Sequence, residues 1–283
     1  MSESEALAGE DLQAWVGRKE TIRELIAPDR VAALGATLGI EGHHAAGASL
    51  PPGWHWIFFN RFVPRHELGT DGHPKRGGFL PPVSLPRRMW AGGRLTYHKP
   101  LTIGAEGVRE STILKVEAKS GRAGRLVFVT VSHSIACNGA VCITEEQDIV
   151  YREAAAPGSP APVAAAAPQG AAWSETFRPD TVLLFRYSSL TSNGHRIHYD
   201  QAYARDEENY PDLVVHGPLT ATLLQGFVER HAGKPLRSFE FRGVSPLFVS
   251  SAFKLEGKGD ANALDLWASG PEGALAMRAA ATT

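Results

Sequence analysis

The sequence predicts an α+β chain whose strands pair antiparallel, built as two successive halves. Three observations carry this. Residues 108–151 hold strand patterns with apolar residues at every second position, joined by tight turns. Residues 154–172 form an Ala/Pro-rich stretch with almost no side chain able to build a core. On either side of that stretch, helical patterns precede a set of strands, so the order of elements repeats. The expected organisation is an N-terminal half at 1–153, a linker at 154–172 and a C-terminal half at 173–283. Antiparallel hairpins exclude a doubly wound parallel fold, which needs long crossovers.

Taken in order, residues 8–40 read as mostly helical with a short break. Leu12, Trp15 and Val16 make a short apolar face, and Asp29 after Pro28 is placed to cap a helix through Leu38. Residues 41–90 are rich in Gly, Pro and His without a period, and a stretch this irregular inside a compact domain usually serves a function or covers a ligand. Its aromatics, Trp54, Trp56, Phe58, Phe59 and Phe62, argue against disorder. Strand character begins at Gly93. Val108 to Ala118 alternate, Ser120 to Gly124 turn, and Val127, Val129, Val131, His133, Ile135 and Cys137 form one face of the next strand. Asn138-Gly139 is a two-residue hairpin turn before a strand from Val141 to Tyr151.

Beyond the linker, Asp180 caps a helix to Thr191, a polar turn follows at Ser192–His198, and Asp200 reads as a second helix cap. A helix then opens at His216-Gly217-Pro218 and runs to about Arg230. Leu219, Ala221, Leu223, Leu224, Phe227 and Val228 leave it no broad polar face, so it is buried on most sides. Pro just inside the start and Gly233 just past the end are ordinary start and stop signals. Strands are expected at Arg237–Arg242, Phe248–Leu255, Ala263–Trp267 and Ala274–Ala281.

With 43% hydrophobic and 21% charged residues, the 283-residue chain is expected to be soluble and to fill an ample core. A net charge of −1 gives no global electrostatic case for nucleic acid or an anionic membrane. No apolar run approaches a bilayer-spanning length, and the acidic start lacks the features of a signal or transit peptide. Cys137 and Cys142, the only cysteines, flank the Asn138-Gly139 turn without a CxxC spacing and read as free thiols of a cytoplasmic protein. The histidines of residues 43–73 are too scattered for a convincing metal site, and no nucleotide-binding glycine loop is present.

Chemistry concentrates at Ser192-Asn193-Gly194-His195-Arg196-Ile197-His198 and the helix start at Gly217. A helix start offers free N–H groups and the positive end of the dipole, and glycine lets a ligand oxygen approach the backbone. The Gly-Pro pair also serves simply to begin a helix. This turn followed by a His-Gly-initiated buried helix resembles the hydratase/dehydratase branch of the hotdog superfamily (MaoC-like), which carries Asp-x-Asn-Pro-x-His. Asn193 falls on the Asp, His195 on the Asn, Arg196 on the Pro and His198 on the His. The amide at the first position brings the chain closer to the type 2 hydroxyacyl-thioester dehydratases, a subgroup that includes bacterial mesaconyl-C4-CoA and itaconyl-CoA hydratases. The likeness extends to Trp54-His55, Asp71-Gly72-His73-Pro74, Phe79-Leu80-Pro81-Pro82 and Pro86-Arg87-Arg88-Met89-Trp90.

The resemblance implies a double hotdog, two long central helices each wrapped by a curved antiparallel sheet. In the first half the helix-starting region is replaced by a Pro-rich segment, and no Asn/Asp-to-His pair of the right spacing occurs, so one site per chain is expected. It also implies a hydro-lyase acting on an α,β-unsaturated acyl-CoA, itaconyl-CoA or mesaconyl-C4-CoA to citramalyl-CoA, with no cofactor beyond the CoA of the substrate. His198 is then the base, Asn193 the water-positioning group and Gly217 the oxyanion donor; His195, Arg196, His216, Trp54, His55, Arg87, Arg88 and Trp90 are candidates for holding substrate. An acyl-carrier-protein dehydratase, a non-catalytic acyl-CoA-binding module and a thioesterase stay open as alternatives. The expected partner is the acyl-CoA, with neither nucleic acid nor membrane, and a homo-oligomer is compatible.

Overall fold

The computed structural model describes residues 12–42, 44–121, 124–154, 164–260 and 262–283. The expected helix residues 8–11 and linker residues 155–163 lie outside the described residues. Each half contributes five strands: β1 (Lys19–Leu25), β2 (Arg87–Tyr97), β3 (Glu106–Gly121), β4 (Gly124–Cys137) and β5 (Ala140–Arg152), then β6 (Trp173–Phe177), β7 (Ser238–Gly243), β8 (Phe253–Asp260), β9 (Ala263–Ser269) and β10 (Leu275–Thr282). They form one antiparallel sheet in the order β1-β3-β4-β5-β2-β7-β10-β9-β8-β6. The halves meet where β2 pairs with β7, Gly92 opposite Arg242 through Thr96 opposite Ser238. That seam requires glycine: a Cβ at Gly92 would lie 2.4 Å from the Phe241 carbonyl oxygen.

Among the described residues, three α-helices accompany the sheet: α1 (Pro28–Leu38), α2 (Thr181–Leu190) and α3 (Gly217–Ala232). Asp180 caps α2 by accepting from Leu183 N at 2.7 Å, and α3 ends at Gly233 in the left-handed conformation. The all-round apolar pattern of α3 is matched by its burial, with Leu219, Ala221, Leu224, Phe227 and Val228 sealed against β7, β8, β9 and β10. Among the described residues, only the second half carries such a long central helix. Between α1 and β2 the first half has a four-residue 3-10 turn, Trp54–Ile57, packed on α3 so closely that a Cβ at Gly53 would meet Gln225 Nε2 at 2.7 Å. The Pro-rich segment lays Val83 and Leu85 on Val116, Val127, Val129, Val131 and Tyr151, covering the first sheet without a helix.

Three expected element bounds are corrected. Residues 8–40 are not mostly helical: a 3-10 turn at Leu12–Trp15 and strand β1 precede α1. β1 is an edge strand with alternate residues exposed, so its Lys19-to-Leu25 pattern lacks the apolar face that marks an inner strand. The strand expected at Phe248–Leu255 is β8 at Phe253–Asp260. Residues 247–249 pair elsewhere: Val215 N donates to Leu247 O and Val249 N to Leu213 O, both bonds made with the loop that enters α3. The Asn138-Gly139 turn is as expected, with both residues at positive φ. Strand β2 starts earlier than Gly93, so Arg87, Arg88 and Trp90 lie on it.

Candidate active site

The turn after α2 is held by its own polar groups. Asn193 N donates to Ser188 O at 2.9 Å, and Asn193 Oδ1 accepts from His195 N at 3.0 Å. The carbonyl of the Asn193 side chain is therefore spent on the turn, and its amide is the end left to meet a ligand. A single 3-10 turn, Arg196–His198, then carries His198 into the interior.

His198 is 6% exposed, and its Nδ1 lies 2.7 Å from the Val214 carbonyl. A carbonyl only accepts, so Nδ1 keeps the proton and Nε2 keeps the lone pair. Val214 is fixed from its other side by donating its own N–H to Ile197 O. Burial pushes the His198 pKa down to about 4, with the Val214 carbonyl working in the opposite direction. The imidazole is thus neutral near pH 7 and oriented. His198 stacks on His216 at 3.6 Å between ring centres. His216 is the residue before α3; it is fully buried, its Nε2 is 2.8 Å from Ser188 Oγ, and burial holds it well below its ordinary pKa. It shapes the floor beneath His198 and stands immediately before Gly217.

Gly217 returns to the surface, and the space where its Cβ would stand is open. As the first residue of α3, followed by Pro218, it has an N–H that the helix itself does not use. Open space, an unused donor and a helix N-terminus at one atom suit a carbonyl oxygen gaining negative charge.

The other wall comes from the first half. Arg196 N donates to Asp71 O at 3.0 Å and Arg196 Nη1 to Thr70 O at 3.0 Å, pinning the loop around Gly72 to the turn. Gly72 and Gly194 touch backbone to backbone: a Cβ on Gly72, which sits at φ +86°, would be 1.9 Å from Gly194 O. The His73 ring lies 4.2 Å from that of His195, and His195 stands perpendicular to His198 at 5.6 Å. Burial, reinforced by His73, pushes His195 down to about 2. Burial alone would raise Asp71, but hydrogen bonding to His73 holds it well below the usual carboxylate range. Asp71, His73 and His195 offer ligand atoms within 4.8 Å of one another, a spacing compatible with a divalent ion. Sequence spacing had set His73 aside as scattered; the fold gathers it.

The remaining candidates separate clearly. Arg196 is ion-paired to Asp200 at 2.8 Å and lies over the Tyr203 ring, so it braces the turn. Asp200 accepts from Tyr203 N at 3.1 Å, as a cap does. His55 is not in the site: it is buried on Glu145 at 3.1 Å, which also accepts from Trp56 Nε1. Trp54 is 3% exposed in the core, and Trp90 donates to Gly92 O while packing on Trp56 and Phe241. Arg87 is ion-paired with Glu208 and donates to Glu207 O. Arg88 differs. It stands beside the buried Tyr151 phenol, its partner across β2 and β5, and its charge acts on His73 and His195. The residues that sequence reasoning did not assign a role are Asp71, His73, Ser188 and Val214; only the Asp-Gly-His-Pro run was visible as a motif.

Comparison with known proteins gives the family and the fold. The family model for hydroxyacyl-thioester dehydratase type 2 matches residues 53–249. The chain is 46% identical over 275 residues to the mesaconyl-C(4)-CoA hydratase of Chloroflexus aurantiacus, covering 96% of this chain and 98% of that one. It is 31% identical over 233 residues to the mitochondrial hydroxyacyl-thioester dehydratase type 2 of Schizosaccharomyces pombe, covering 73% and 77%. Among solved structures, a MaoC-like dehydratase from Phytophthora capsici aligns over 96% of this chain and 97% of its own, with TM-score 0.71 and 10% identity. A double-hotdog protein from Mycobacterium tuberculosis aligns over 97% and 99%, with TM-score 0.59 and 12% identity. With the type 2 model spanning both the first-half turn at Trp54 and the polar turn at Arg196–His198 in the second, this double-hotdog chain belongs to the hydroxyacyl-thioester dehydratase type 2 family.

Proposed function

We propose that this chain is a hydro-lyase that adds water across the α,β double bond of an acyl-CoA, and that its substrate is a small dicarboxylyl thioester of the mesaconyl-C4-CoA type, giving citramalyl-CoA. The observation that carries the reading is His198: neutral, tautomerically fixed by the Val214 carbonyl, and stacked on His216, the residue that immediately precedes Gly217 at the start of α3. Hydration needs a base at the water and a donor at the thioester oxygen, and these two groups supply them. His198 Nε2 takes a proton from water as the water oxygen bonds to the β-carbon. The π electrons move toward the thioester oxygen, where the Gly217 N–H meets the developing charge. The proton returned to the α-carbon then restores neutral His198. Asn193 cannot carry a proton in this cycle, because an amide is not basic; its side chain holds the turn and presents an N–H to the water.

Support for the dicarboxylyl substrate comes from the Chloroflexus relative, whose name states such a thioester, and from Arg88. Arg87, Arg94 and Arg196 are each paired with carboxylates of the chain, whereas Arg88 faces the Tyr151 phenol and the site imidazoles. A guanidinium set beside a buried hydroxyl suits a second, free carboxylate. The buried free thiols Cys137 and Cys142 fit a reducing cytoplasm. The test is to incubate the protein with a panel of enoyl-CoA and enoyl-acyl-carrier thioesters and follow products by mass spectrometry. Gain of one water on dicarboxylyl-CoA substrates is the expected result. Release of free CoA without hydration, or exclusive action on the carrier-protein thioesters, would refute the assignment.

A further inference from the structure

The turn brings one usable base to the reacting atoms. Asn193 has replaced the carboxylate of the wider motif, and His216 is sealed beneath His198. Resting on the hydratase reading above, we propose that Asp71 and His73, supplied by the first half of the chain, are positioning residues of this site that hold the imidazole wall around His198.

The geometry runs in one direction. Asp71 commits both carboxylate oxygens to one residue: Oδ1 accepts from His73 N at 3.0 Å and Oδ2 lies 3.1 Å from His73 Nδ1. This fixes the tautomer and plane of His73, as a carboxylate behind a histidine does. The His73 ring covers His195 at 4.2 Å with 39° between planes, and His195 stands at 90° to His198. Nothing in the turn itself clamps the His195 ring on that side; the clamp arrives from Asp71. Core packing does not account for the pair, since 32% of the Asp71 side chain and 19% of that of His73 remain exposed. The loop is also rigid where it must be, tied to Arg196 N and Arg196 Nη1 and closed by the Gly72–Gly194 contact. The charged and titratable groups acting on His73 are Asp71 on its own loop, Arg76 and Arg88 from the segment leading into and along β2, and His195 and His198 from the turn.

The test uses the full chain carrying Asp71→Ala, Asp71→Asn and His73→Ala, with ¹⁵N-histidine spectra, melting curves, and kcat, KM and the pH profile for mesaconyl-C4-CoA hydration. In the spectra, His73→Ala and Asp71→Ala should alter the ring-nitrogen signals of His195 and His198. Their kcat should fall about ten- to a hundred-fold with KM little changed, the usual effect of removing a group that orients a catalytic ligand. The acid limb of the His73→Ala profile should move upward in pH, because a cation-forming neighbour of His198 is removed, whereas loss of the Asp71 carboxylate works in the opposite direction. Asp71→Asn keeps an acceptor for His73 and should recover most of the rate. Unchanged His195 and His198 signals overturn the proposal whether or not the protein turns over substrate. So does a melting-point loss with kcat per folded molecule and pH profile intact, or activity that tracks a divalent metal bound through Asp71 and His73. Wild-type protein that shows the histidine coupling but adds no water would instead refute the hydratase reading.

Discussion

Replacing His198 by Ala tests the centre of the site, and the structure sets the size of the effect. The imidazole donates Nδ1–H to Val214 O at 2.7 Å and is 6% exposed, so it has one orientation and little competing water. A positioned general base contributes about 10²–10⁴ in rate, or roughly 3–5 kcal/mol of barrier, and kcat should fall by that factor. The pH profile gives a sharper check. The base must be unprotonated, so activity is lost as pH falls through its pKa. With that pKa near 4, about 97% of His198 is neutral at pH 5.5, whereas an ordinary histidine would be only about 9% neutral there. Wild-type kcat/KM should therefore hold nearly constant from pH 7 to pH 5.5, measured with circular dichroism to confirm the fold at each point. A roughly eightfold fall over that interval with the protein folded, the behaviour of an ordinary histidine, would refute the depressed pKa, and an Ala variant with wild-type turnover would remove His198 from the role.

Three further outcomes are expected. Neutralising Arg88 as Arg88→Met should weaken kcat/KM for mesaconyl-C4-CoA by about ten- to over a hundred-fold, the worth of roughly 1.5–3 kcal/mol for a charged hydrogen bond; crotonyl-CoA, lacking the second carboxylate, should be spared, and equal losses would assign Arg88 to the fold or to CoA. Arg87→Met, which breaks the pair with Glu208, should instead treat both substrates alike. Asn193→Ala should cost activity and about 1 kcal/mol of stability by deleting the acceptor for His195 N, while Asn193→Asp retains that acceptor and part of the activity; a fully active Ala variant would show that the turn does not need it. Gly72→Ala should destabilise the chain by roughly 1–3 kcal/mol and abolish turnover, because its Cβ would be driven onto Gly194 O at a left-handed φ; an unchanged melt and rate would mean the loop is not locked to the turn.

Much of the fold was legible because its signals are local. The alternation of β3, β4 and β5, the Asn138-Gly139 turn, the Asp180 cap and the apolar circumference of α3 are written in adjacent residues. The misses are places where a distant partner overrides the local pattern. β1 lies at an exposed edge and shows no apolar face, and residues 247–249 were claimed by the loop before α3 rather than by β8. The site divides the same way. His198 and Asn193 stand in a recognisable spacing; in the structure Asn193 holds His195 N, and His198 stacks on His216, next to Gly217. His55 carried the right residue type and went to Glu145 instead, a strand partner that no local pattern announces. Arg87 and Arg88 are indistinguishable in sequence, yet alternate sides of a strand sent one to Glu208 and the other toward Tyr151.

That division follows from how a duplicated fold makes one site from two halves. The second half keeps the long helix, whose N-terminus can polarise a carbonyl, together with the turn that holds the base. The first half has given up a long helix at the corresponding point in its element order, and the Trp54–Ile57 turn and Pro-rich segment fill the core in its place. What this frees is backbone: the loop carrying Asp71, Gly72 and His73 can reach the other half's turn and bond to it, which a helix with its N–H and C=O groups internally satisfied could not do. On the proposal above, the chain draws the order of its imidazoles from its first half, and the β2–β7 seam is what holds the two halves in register.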